Sequence, residues 1–239
     1  DKIESEKQII RSDSSEVYSL FQDNEENKEI KRTNYTPSIY KAINNKVVLK
    51  ITYEPPNINP TKIICHPYLI AESNDRWYLM AYVEEALEKE SVFITNGRIG
   101  KINLLETKRI IDEPKNLKNE YKEKIQLDEL HNILDDTVGV RLFSNDDYHN
   151  SWEQPKREEL KLELDEELVF YFITKPLIGG IEEKINKKNI YTRPRTIFTN
   201  ELKQKILSYG KQIKVIKPTW LKKQIEDEIE EMTKKYEKQ

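Results

Sequence analysis

Hydrophobic and polar residues alternate in short runs along the first half of the chain, which is the pattern of half-buried β-strands. Leu49, Ile51 and Tyr53 show this alternation, and residues 77–82 form the most apolar run of this half. Pro67 predicts a break or an edge within one strand, because proline cannot donate to a sheet ladder. The runs predict five strands, within residues 49–53, 63–70, 77–82, 92–94 and 99–105.

A helix is predicted just before these strands. Thr36 and Pro37 fit its N-cap and its first position. Ile39 and Ile43 lie one turn apart on one face, and the helix should end near residues 44–45. One helix followed by five closely spaced short strands favours a small β-barrel that closes its own sheet edges.

The second half of the chain alternates between strand and helix patterns. Strands are predicted at residues 160–164, 169–173 and 213–216, and helices at residues 201–209 and from Pro218 onward. Gly210 should end the first of these helices. The last helix carries one apolar stripe, formed by Leu221, Ile225, Ile229, Met232 and Tyr236. This order predicts an α/β sandwich in which helices cover one face of a sheet.

The patterns divide the chain into four parts, and the overall fold class is mixed α/β of the α+β type. Residues 1–36 are a polar N-terminal connector, and residues 37–112 are the barrel domain. Residues 113–154 form a linker that is partly helical, with Leu127, Leu130 and Leu134 on one helix face. Residues 155–239 are the C-terminal domain.

Composition narrows the class of protein. The chain has 239 residues, of which 36% are hydrophobic and 35% charged, and its formal net charge is −3. No run approaches the roughly 18 apolar residues of a membrane span, and no signal peptide is present, so we expect a cytoplasmic protein. Cys65 is the only cysteine, which excludes an internal disulfide and, without histidines at short spacing, a zinc site. We therefore expect no metal and no cofactor.

The apolar run contains a recognisable motif. Residues 76–82 read Arg-Trp-Tyr-Leu-Met-Ala-Tyr, preceded by His66-Pro67-Tyr68 and followed by Gly97-Arg98-Ile99. This part of the chain, about residues 37–110, resembles the WYL domain, which is named for its Trp-Tyr-Leu run. The resemblance implies an SH3- or Sm-like barrel. The family pattern has an acidic residue where this chain has Gly97, but Arg98 is kept.

The C-terminal half resembles the WCX extension that follows WYL domains, which implies a ferredoxin-like α/β sandwich. Four segments carry the resemblance: residues 174–177, residues 200–202, residues 207–210 and residues 215–218. The family often has histidine, serine and glutamine where this chain reads Ile178-Gly179-Gly180-Ile181, so some ligand contacts are altered.

The family resemblance implies a bacterial transcription regulator. In such proteins the WYL barrel is thought to bind single-stranded nucleic acid or a nucleotide-like ligand, and the extension forms a homodimer. A winged helix-turn-helix usually precedes the barrel and binds promoter DNA. The chain starts without methionine and shows no such motif before residue 36, so we expect the promoter-binding domain to be absent from this chain.

The motif positions supply the candidate ligand contacts. Arg98 suits phosphate oxygens because a guanidinium donates in a fork, and Tyr78 on the strand face opposite Trp77 and Leu79 suits base stacking. His66 would hydrogen-bond the ligand, and Arg76 would extend a basic rim with Lys62. The full candidate set is Arg98, His66, Tyr68, Tyr78, Arg76 and Tyr53. Each also has a structural alternative, such as a half-buried tyrosine or a surface arginine.

A basic cluster in the second half is the candidate nucleic-acid contact. It comprises Lys187, Lys188, Arg193 and Arg195, with Lys184 nearby and the aromatic residues Tyr191 and Phe198 interleaved. A run of charge is more often only solvated surface, and a surface for the partner subunit is a further alternative.

Catalytic motifs are missing, so we expect a binding protein and not an enzyme. The sequence has no glycine-rich phosphate loop, no helical His-Glu-x-x-His and no local motif for a nucleophilic serine or cysteine. Two alternatives to the sensing function stay open. One is a protein-interaction scaffold without a small or nucleic ligand, and the other is an enzyme such as a nuclease.

Overall fold

The structure is a computed structural model that divides into two compact units. It describes residues 10–11, 35–57, 59–73, 76–86, 102–140, 156–175, 177 and 184–237. The first unit is Asp1–Leu130 and the second is His131–Gln239. None of the described helices is long and apolar enough to cross a membrane.

The first unit is built on one sheet. Its described elements are β1 (Ile10–Arg11), α1 (Thr36–Asn44), β2 (Val48–Tyr53), β3 (Thr61–Ser73), β4 (Arg76–Ala86), β5 (Ile102–Glu106), β6 (Lys115–Leu117) and the start of α2 (Leu127–Asp135). The strand order is β5-β4-β3-β2-β6, with antiparallel neighbours, and β1 pairs with β3 in parallel. No pairing among the described residues joins β5 to β6, so the closed barrel stays a prediction.

Helix α1 covers the core face of this sheet. Ile39, Ala42 and Ile43 are buried, as residues spaced three and four apart on one helix face should be. The predicted helix is confirmed, although it begins one residue early: Tyr35 is the N-cap, and no side chain caps the helix. Thr36 is therefore the first helical residue, and Pro37 still lies in the first turn, where its missing N–H has no helical partner.

Strand β3 carries a β-bulge at Pro67. The register with β4 shifts between Pro67 and Leu69, which leaves Tyr68 as the extra residue. Alternation normally puts residues five apart on opposite faces of a sheet, yet Cys65 and Ile70 lie in the same buried core. The bulge therefore changes the phase of the strand. The break predicted at Pro67 is confirmed as a bulge within one continuous strand.

The second unit also has one antiparallel sheet, with helices against its core. Its elements are the end of α2, β7 (Arg157–Leu164), α3 (Glu166–Thr174), β8 (Lys184–Ile185), β9 (Ile190–Ile197), α4 (Asn200–Ser208), β10 (Ile213–Lys217) and α5 (Thr219–Glu237). The strand order is β10-β7-β9-β8. With five described helices and two sheets, the chain has the mixed α/β fold expected. The ferredoxin-like arrangement stays a prediction.

The strand predicted at residues 169–173 is wrong, because these residues lie in α3. Leu168 and Phe172, one helical turn apart, are buried, whereas Phe170 is 73% exposed and Ile173 is 66% exposed. A short apolar run does not distinguish a buried strand from a helix. Acidic residues in the first turn of α3 favour the helix, because they interact with its dipole.

Strands β8 and β9 occupy the segment where the sequence predicts only a basic cluster. Pro194 lies inside β9, and a proline normally argues against a strand. The strand tolerates it because the pairing of β9 with β7 shifts register at this point, between Glu158 and Leu160. The sequence therefore gives no clear signal for β9, because the proline that argues against a strand lies at the bulge.

Helix α5 is confirmed as a long amphipathic helix, but its apolar stripe is buried only at one end. Leu221 and Ile225 are in the core of the second unit. Further along the same stripe, Ile229 is 51% exposed, Met232 is 50% exposed and Tyr236 is 79% exposed. The stripe thus continues beyond the core of its own unit.

Candidate functional site

The predicted ligand contacts fall into two groups on the first unit, where the structure describes them. His66 and Tyr68 lie on β3. Tyr53, Arg76 and Tyr78 lie where the start of β4 is beside the end of β5. Arg98 lies outside the described residues.

The ring of His66 is completely buried, and both of its nitrogens are engaged. Nδ1 accepts a hydrogen bond from the backbone N–H of Lys122 at 2.9 Å, and Nε2 lies 3.0 Å from Oε2 of Glu84. Because an accepting nitrogen carries no proton, the neutral ring has its proton on Nε2 and donates it to Glu84. Burial lowers the pKa of His66, against the opposing effect of its hydrogen bond with Glu84. His66 is thus held as a neutral imidazole.

Tyr68 is bound by the same segment that reaches His66. Residues 118–124 have neither helix nor strand, and we call them the strap. The hydroxyl of Tyr68 donates to the carbonyl oxygen of Lys122 and accepts from the N–H of Lys124 at 2.9 Å. Burial raises the pKa of Tyr68 to about 12, so the hydroxyl keeps its proton. The two predicted contacts therefore hold a stretch of the chain's own backbone.

Aromatic rings surround His66 on this face of the sheet. The ring centroid of Tyr82 lies 5.4 Å from that of His66, and the Tyr121 centroid lies 5.5 Å from His66 and 5.9 Å from Tyr68. These separations are typical of tilted and edge-to-face packing. The hydroxyl of Tyr121, itself in the strap, donates to the carbonyl oxygen of Pro67 at 2.5 Å.

Glu84 is the electrostatic centre of this group. Its carboxylate accepts hydrogen bonds from the ammonium of Lys122 and from His66, and these bonds hold the pKa of Glu84 below its usual range. The same contact raises the pKa of Lys122. The ammonium of Lys124 lies 5.7 Å from the ring centroid of Tyr82, within cation–π range. Without the strap, this face would present one carboxylate beside aromatic rings.

The second group centres on Glu106. Its backbone N–H donates to the hydroxyl of Tyr53 at 3.3 Å, and Tyr78 is its partner across β4 and β5. The side chain of Arg109 donates to Oε2 of Glu106 at 2.9 Å, and Nη1 of Arg76 lies 3.9 Å from the same oxygen. Tyr53 is a core residue, only 5% exposed, and burial raises its pKa to about 12. The side chain of Arg76 is 58% exposed.

Side-chain alternation along β4 connects the two groups. Arg76, Tyr78 and Tyr82 are spaced by even numbers of residues on one strand, so they share a face. Glu84 is the extra residue where the register with β3 shifts again, and its contact with His66, the partner of Tyr82, places it on the same face. The opposite face carries Leu79, which is in the core as predicted, with Trp77 packed partly against it. The structure thus brings an exposed arginine, two accessible tyrosines and a carboxylate onto one strip of the sheet.

In the second unit the residues predicted to contact nucleic acid differ in how deeply their side chains are buried. Arg193 is only 3% exposed, and its guanidinium donates to the carbonyl oxygens of Asp135 and Arg195. Asp136, 5% exposed, lies 3.5 Å from Nη2 of Arg193, 2.9 Å from Nη2 of Arg195 and 2.6 Å from Nε of Arg157. Three guanidinium groups therefore converge on one buried carboxylate. Arg193 anchors the chain around Asp136, whereas Arg195 has a 51% exposed side chain.

Lys187 and Lys188 lie at the turn between β8 and β9, and both are exposed. The side chain of Asn186 accepts hydrogen bonds from the N–H of Lys188 at 2.9 Å and of Ile190 at 3.1 Å, which fixes the turn. The two ammonium groups are thus presented from an ordered hairpin end, where they can reach an anionic partner.

Several residues that complete the surroundings of His66 and of the three arginines are not among those predicted from the sequence. Glu84, Tyr121 and Lys122 complete the surroundings of His66, and Asp136 holds the three arginines. One signal was available: Tyr121 is the only aromatic residue in the polar segment 113–126, and an isolated aromatic often marks a packing contact. Nothing comparable marks Glu84, whose role depends on a contact distant in sequence.

Comparisons with known proteins identify both domains. The WYL domain family model matches residues 34–91, and the WCX domain family model matches residues 156–233. No curated protein matches the chain significantly.

Two solved structures are similar at low identity. The crystal structure of a CRISPR Cas-related protein has a TM-score of 0.49 and 13% identity, over 85% of this chain and 52% of that chain. The proteasome accessory factor B/C (PafBC) of Arthrobacter aurescens has a TM-score of 0.31 and 12% identity, over 80% of this chain and 26% of that chain. The chain thus spans about half of the first structure and about a quarter of the second. From the two family models, the chain belongs to the WYL-domain proteins and carries a WYL domain followed by a WCX domain.

Proposed function

We propose that this chain is the ligand-sensing and dimerisation part of a transcription regulator. Its WYL domain binds single-stranded nucleic acid or a nucleotide-like ligand, and its WCX domain forms a homodimer. Promoter DNA is bound by a separate upstream domain in this proposal. Ligand binding then shifts the population of two arrangements of the dimer, which requires that the ligand bind one arrangement more tightly than the other.

One observation carries the ligand proposal: Arg76 and Tyr78 are accessible side by side on one face of β4. A guanidinium suits phosphate oxygens, and an accessible tyrosine ring suits a base. Arg98, which lies outside the described residues, is proposed as a second phosphate contact. Arg195, Lys187 and Lys188 are proposed as additional contacts on the second unit, where Arg193 positions the chain around Asp136.

The exposed end of the α5 stripe favours the dimer. Ile229, Met232 and Tyr236 continue a stripe whose first residues are buried. In a two-fold dimer each copy contributes the same patch, so two such stripes cover each other. The acidic middle of α5, with Glu226, Asp227 and Glu230, would then face the basic Lys234-Lys235 end of an antiparallel partner helix.

The test is fluorescence anisotropy of a labelled single-stranded DNA, measured with the whole chain at two salt concentrations. Arg76→Ala and Arg98→Ala should each weaken binding and lower the salt dependence of log Kd by about 0.7, the value for one phosphate contact on a single strand. Tyr78→Ala should weaken binding roughly 5- to 150-fold, the range for one base stack, without changing the salt dependence. Lys223→Ala, an exposed cation on α5, is the matched control. Absence of binding at low salt would overturn the nucleic-acid proposal.

The alternative function is a protein-interaction scaffold, and α3 supplies the observation that favours it. Phe170 and Ile173 are strongly exposed on one side of this helix, and exposed apolar patches mark interaction surfaces. A scaffold would form dimers in sedimentation experiments but would show no salt-sensitive binding of the oligonucleotide.

A further inference from the structure

The strap already occupies the hydrogen-bonding groups of His66 and Tyr68, two of the ligand contacts predicted from the sequence. Neutral His66 has one donor and one acceptor, and these are used by Glu84 and by the N–H of Lys122. The hydroxyl of Tyr68 has one proton to donate, and it donates to the strap. Because His66 is 0% exposed, no ligand reaches its ring while the strap is in place.

The residues just before and just after the strap are fixed to the first unit, whereas the strap itself has no regular secondary structure. Before it, β6 pairs with β2. After it, Ile125 is 3% exposed, and Leu127 packs partly against the core of the first unit. Between these anchors every residue is exposed or half-buried. The strap is held by the contacts of Tyr121, Lys122 and Lys124 described above and by an exposed ion pair of Glu123 with Lys46 at 3.1 Å. A loop held by a few polar contacts opens at lower free energy than the sheet beneath it.

The groups beneath the strap define the chemistry that would replace it. Glu84 and Nδ1 of His66 both accept hydrogen bonds from the strap, and Tyr82 and Tyr68 supply aromatic rings beside them. A carboxylate repels phosphate, but it accepts from the exocyclic amino group of a base, as glutamate does from N4 of cytosine. The strap therefore presents N–H donors to this face, as the edge of an amino-bearing base would.

We propose that the strap is a self-ligand, and that the ligand of the WYL domain displaces it by placing an amino-bearing base, cytosine or adenine, over His66, Tyr68 and Glu84. This inference rests on the proposed function and extends it to the choice of base and to competition within the chain. Phosphates then lie away from Glu84 and toward Arg76, where the nearby carboxylate of Glu106 is already paired with Arg109. The measured affinity is the intrinsic affinity reduced by the fraction of molecules whose strap is open.

The opening of the strap is tested first without any nucleic acid. Diethyl pyrocarbonate modifies neutral histidine, and the modification of His66 is followed by peptide mass spectrometry. Tyr121→Phe removes the hydrogen bond to Pro67 and should speed this modification about fivefold, which corresponds to about 1 kcal/mol for one hydrogen bond. Tyr209→Phe makes the same chemical change in the second unit, and should leave the rate unchanged.

The sole cysteine shows whether such opening is local. Cys65 is completely buried in the core, so its reaction with a thiol reagent reports unfolding of the first unit. We expect His66 to react much faster than Cys65 when each rate is compared with that of the unfolded chain. Equal protection of the two residues, or an unchanged His66 rate in Tyr121→Phe, would overturn the displaceable strap.

The choice of base is tested with oligodeoxycytidine and oligodeoxythymidine of equal length, two pyrimidine strands with the same backbone charge. At pH 7.5 and low salt we expect the cytidine strand to bind at least tenfold more tightly, within the range for one good base contact. Glu84→Gln should remove most of this preference, because a neutral amide accepts more weakly than a carboxylate. Tyr121→Phe should tighten cytidine binding about fivefold.

The outcomes separate this inference from the proposed function. If both strands bind equally, or Tyr121→Phe weakens binding, the self-ligand inference is overturned while nucleic-acid binding stands. If neither strand binds, the nucleic-acid proposal and the base choice both fall.

Discussion

The convergence of three arginines on Asp136 leads to a prediction about stability. Asp136→Asn keeps the shape of the side chain but removes its charge, and it leaves the backbone hydrogen bond from Ile197 to Asp136 in place. Removing one partner of a buried ion pair costs about 3–5 kcal/mol, because the other charge stays buried and unpaired. Arg193 keeps its two bonds to backbone carbonyls, so we expect the lower end, about 3 kcal/mol.

Hydrogen exchange of the β7 and β9 amides measures this effect within the second unit. A loss of about 3 kcal/mol accelerates their exchange roughly 150-fold, since each tenfold change corresponds to about 1.36 kcal/mol. The matched control is Glu163→Gln, which breaks a pair with Lys214 whose side chains are 52% and 69% exposed. Such exposed pairs contribute less than about 1 kcal/mol, so the control should change exchange less than about fivefold.

Arg157 and Arg195 should differ in the same assay. Arg157 lies 2.6 Å from Asp136 with a 19% exposed side chain, whereas the side chain of Arg195 is 51% exposed. Arg157→Gln should therefore accelerate exchange more than Arg195→Gln, because solvent screens the exposed pair. An acceleration below tenfold in Asp136→Asn, or equal effects of the two arginine substitutions, would refute the reasoning.

Two further predictions concern a glycine and the acid side of the stability curve. Gly139 has φ +78°, and a Cβ there would lie 2.3 Å from Oε2 of Glu201, so the Glu201 side chain must move and give up the hydrogen bond that it accepts from the N–H of Val140 at 3.2 Å. Gly139→Ala should therefore lower the melting temperature more than Gly210→Ala, where φ is +55° and the space is open. Equal shifts would contradict this. The lowered pKa of His66 means that, just below about pH 6.5, the unfolded chain binds a proton at this residue more readily than the folded chain does. The free energy of unfolding should therefore fall as the pH drops below about 6.5, by up to about 1.36 kcal/mol per pH unit, until the folded chain binds this proton as well. The free energy of unfolding, measured by urea titration at several pH values, should depend less steeply on pH in His66→Gln. An identical pH dependence would contradict the neutral state of the buried His66.

The elements with a clear period were predictable, and those that depend on tertiary contacts were not. Helices α1 and α5 and strand β7 follow from spacing, because amphipathic periods survive in sequence. Helix α3 was mistaken for a strand because five apolar residues in a row carry no period. Strand β9 was missed because its proline is tolerated only through the bulge opposite Glu158 and Leu160.

The candidate site shows the same division. His66 and Tyr68 could be found because they belong to a local motif, but their partners come from the strap, more than fifty residues later in the chain. Arg193 and Arg195 look equivalent in sequence, yet one is buried against Asp136 and the other is half exposed. A run of charged residues in the sequence does not show which of them pairs with a carboxylate distant in sequence, because that pairing depends on the tertiary fold.

The order of elements along the chain suggests how a ligand signal would leave the WYL domain. Along the chain, the strap ends just before α2, and Asp136 directly follows α2. Displacing the strap would remove its hydrogen bonds to His66 and Tyr68, which restrain the chain just before this helix. Displacement of the strap affects dimerisation only if the dimer binds the ligand with a different affinity from the monomer. This coupling between ligand binding and dimerisation is reciprocal. The factor by which cytidine strands change the dimer dissociation constant must therefore equal the factor by which dimerisation changes strand affinity. If both factors are one, the strap selects ligands without transmitting their presence.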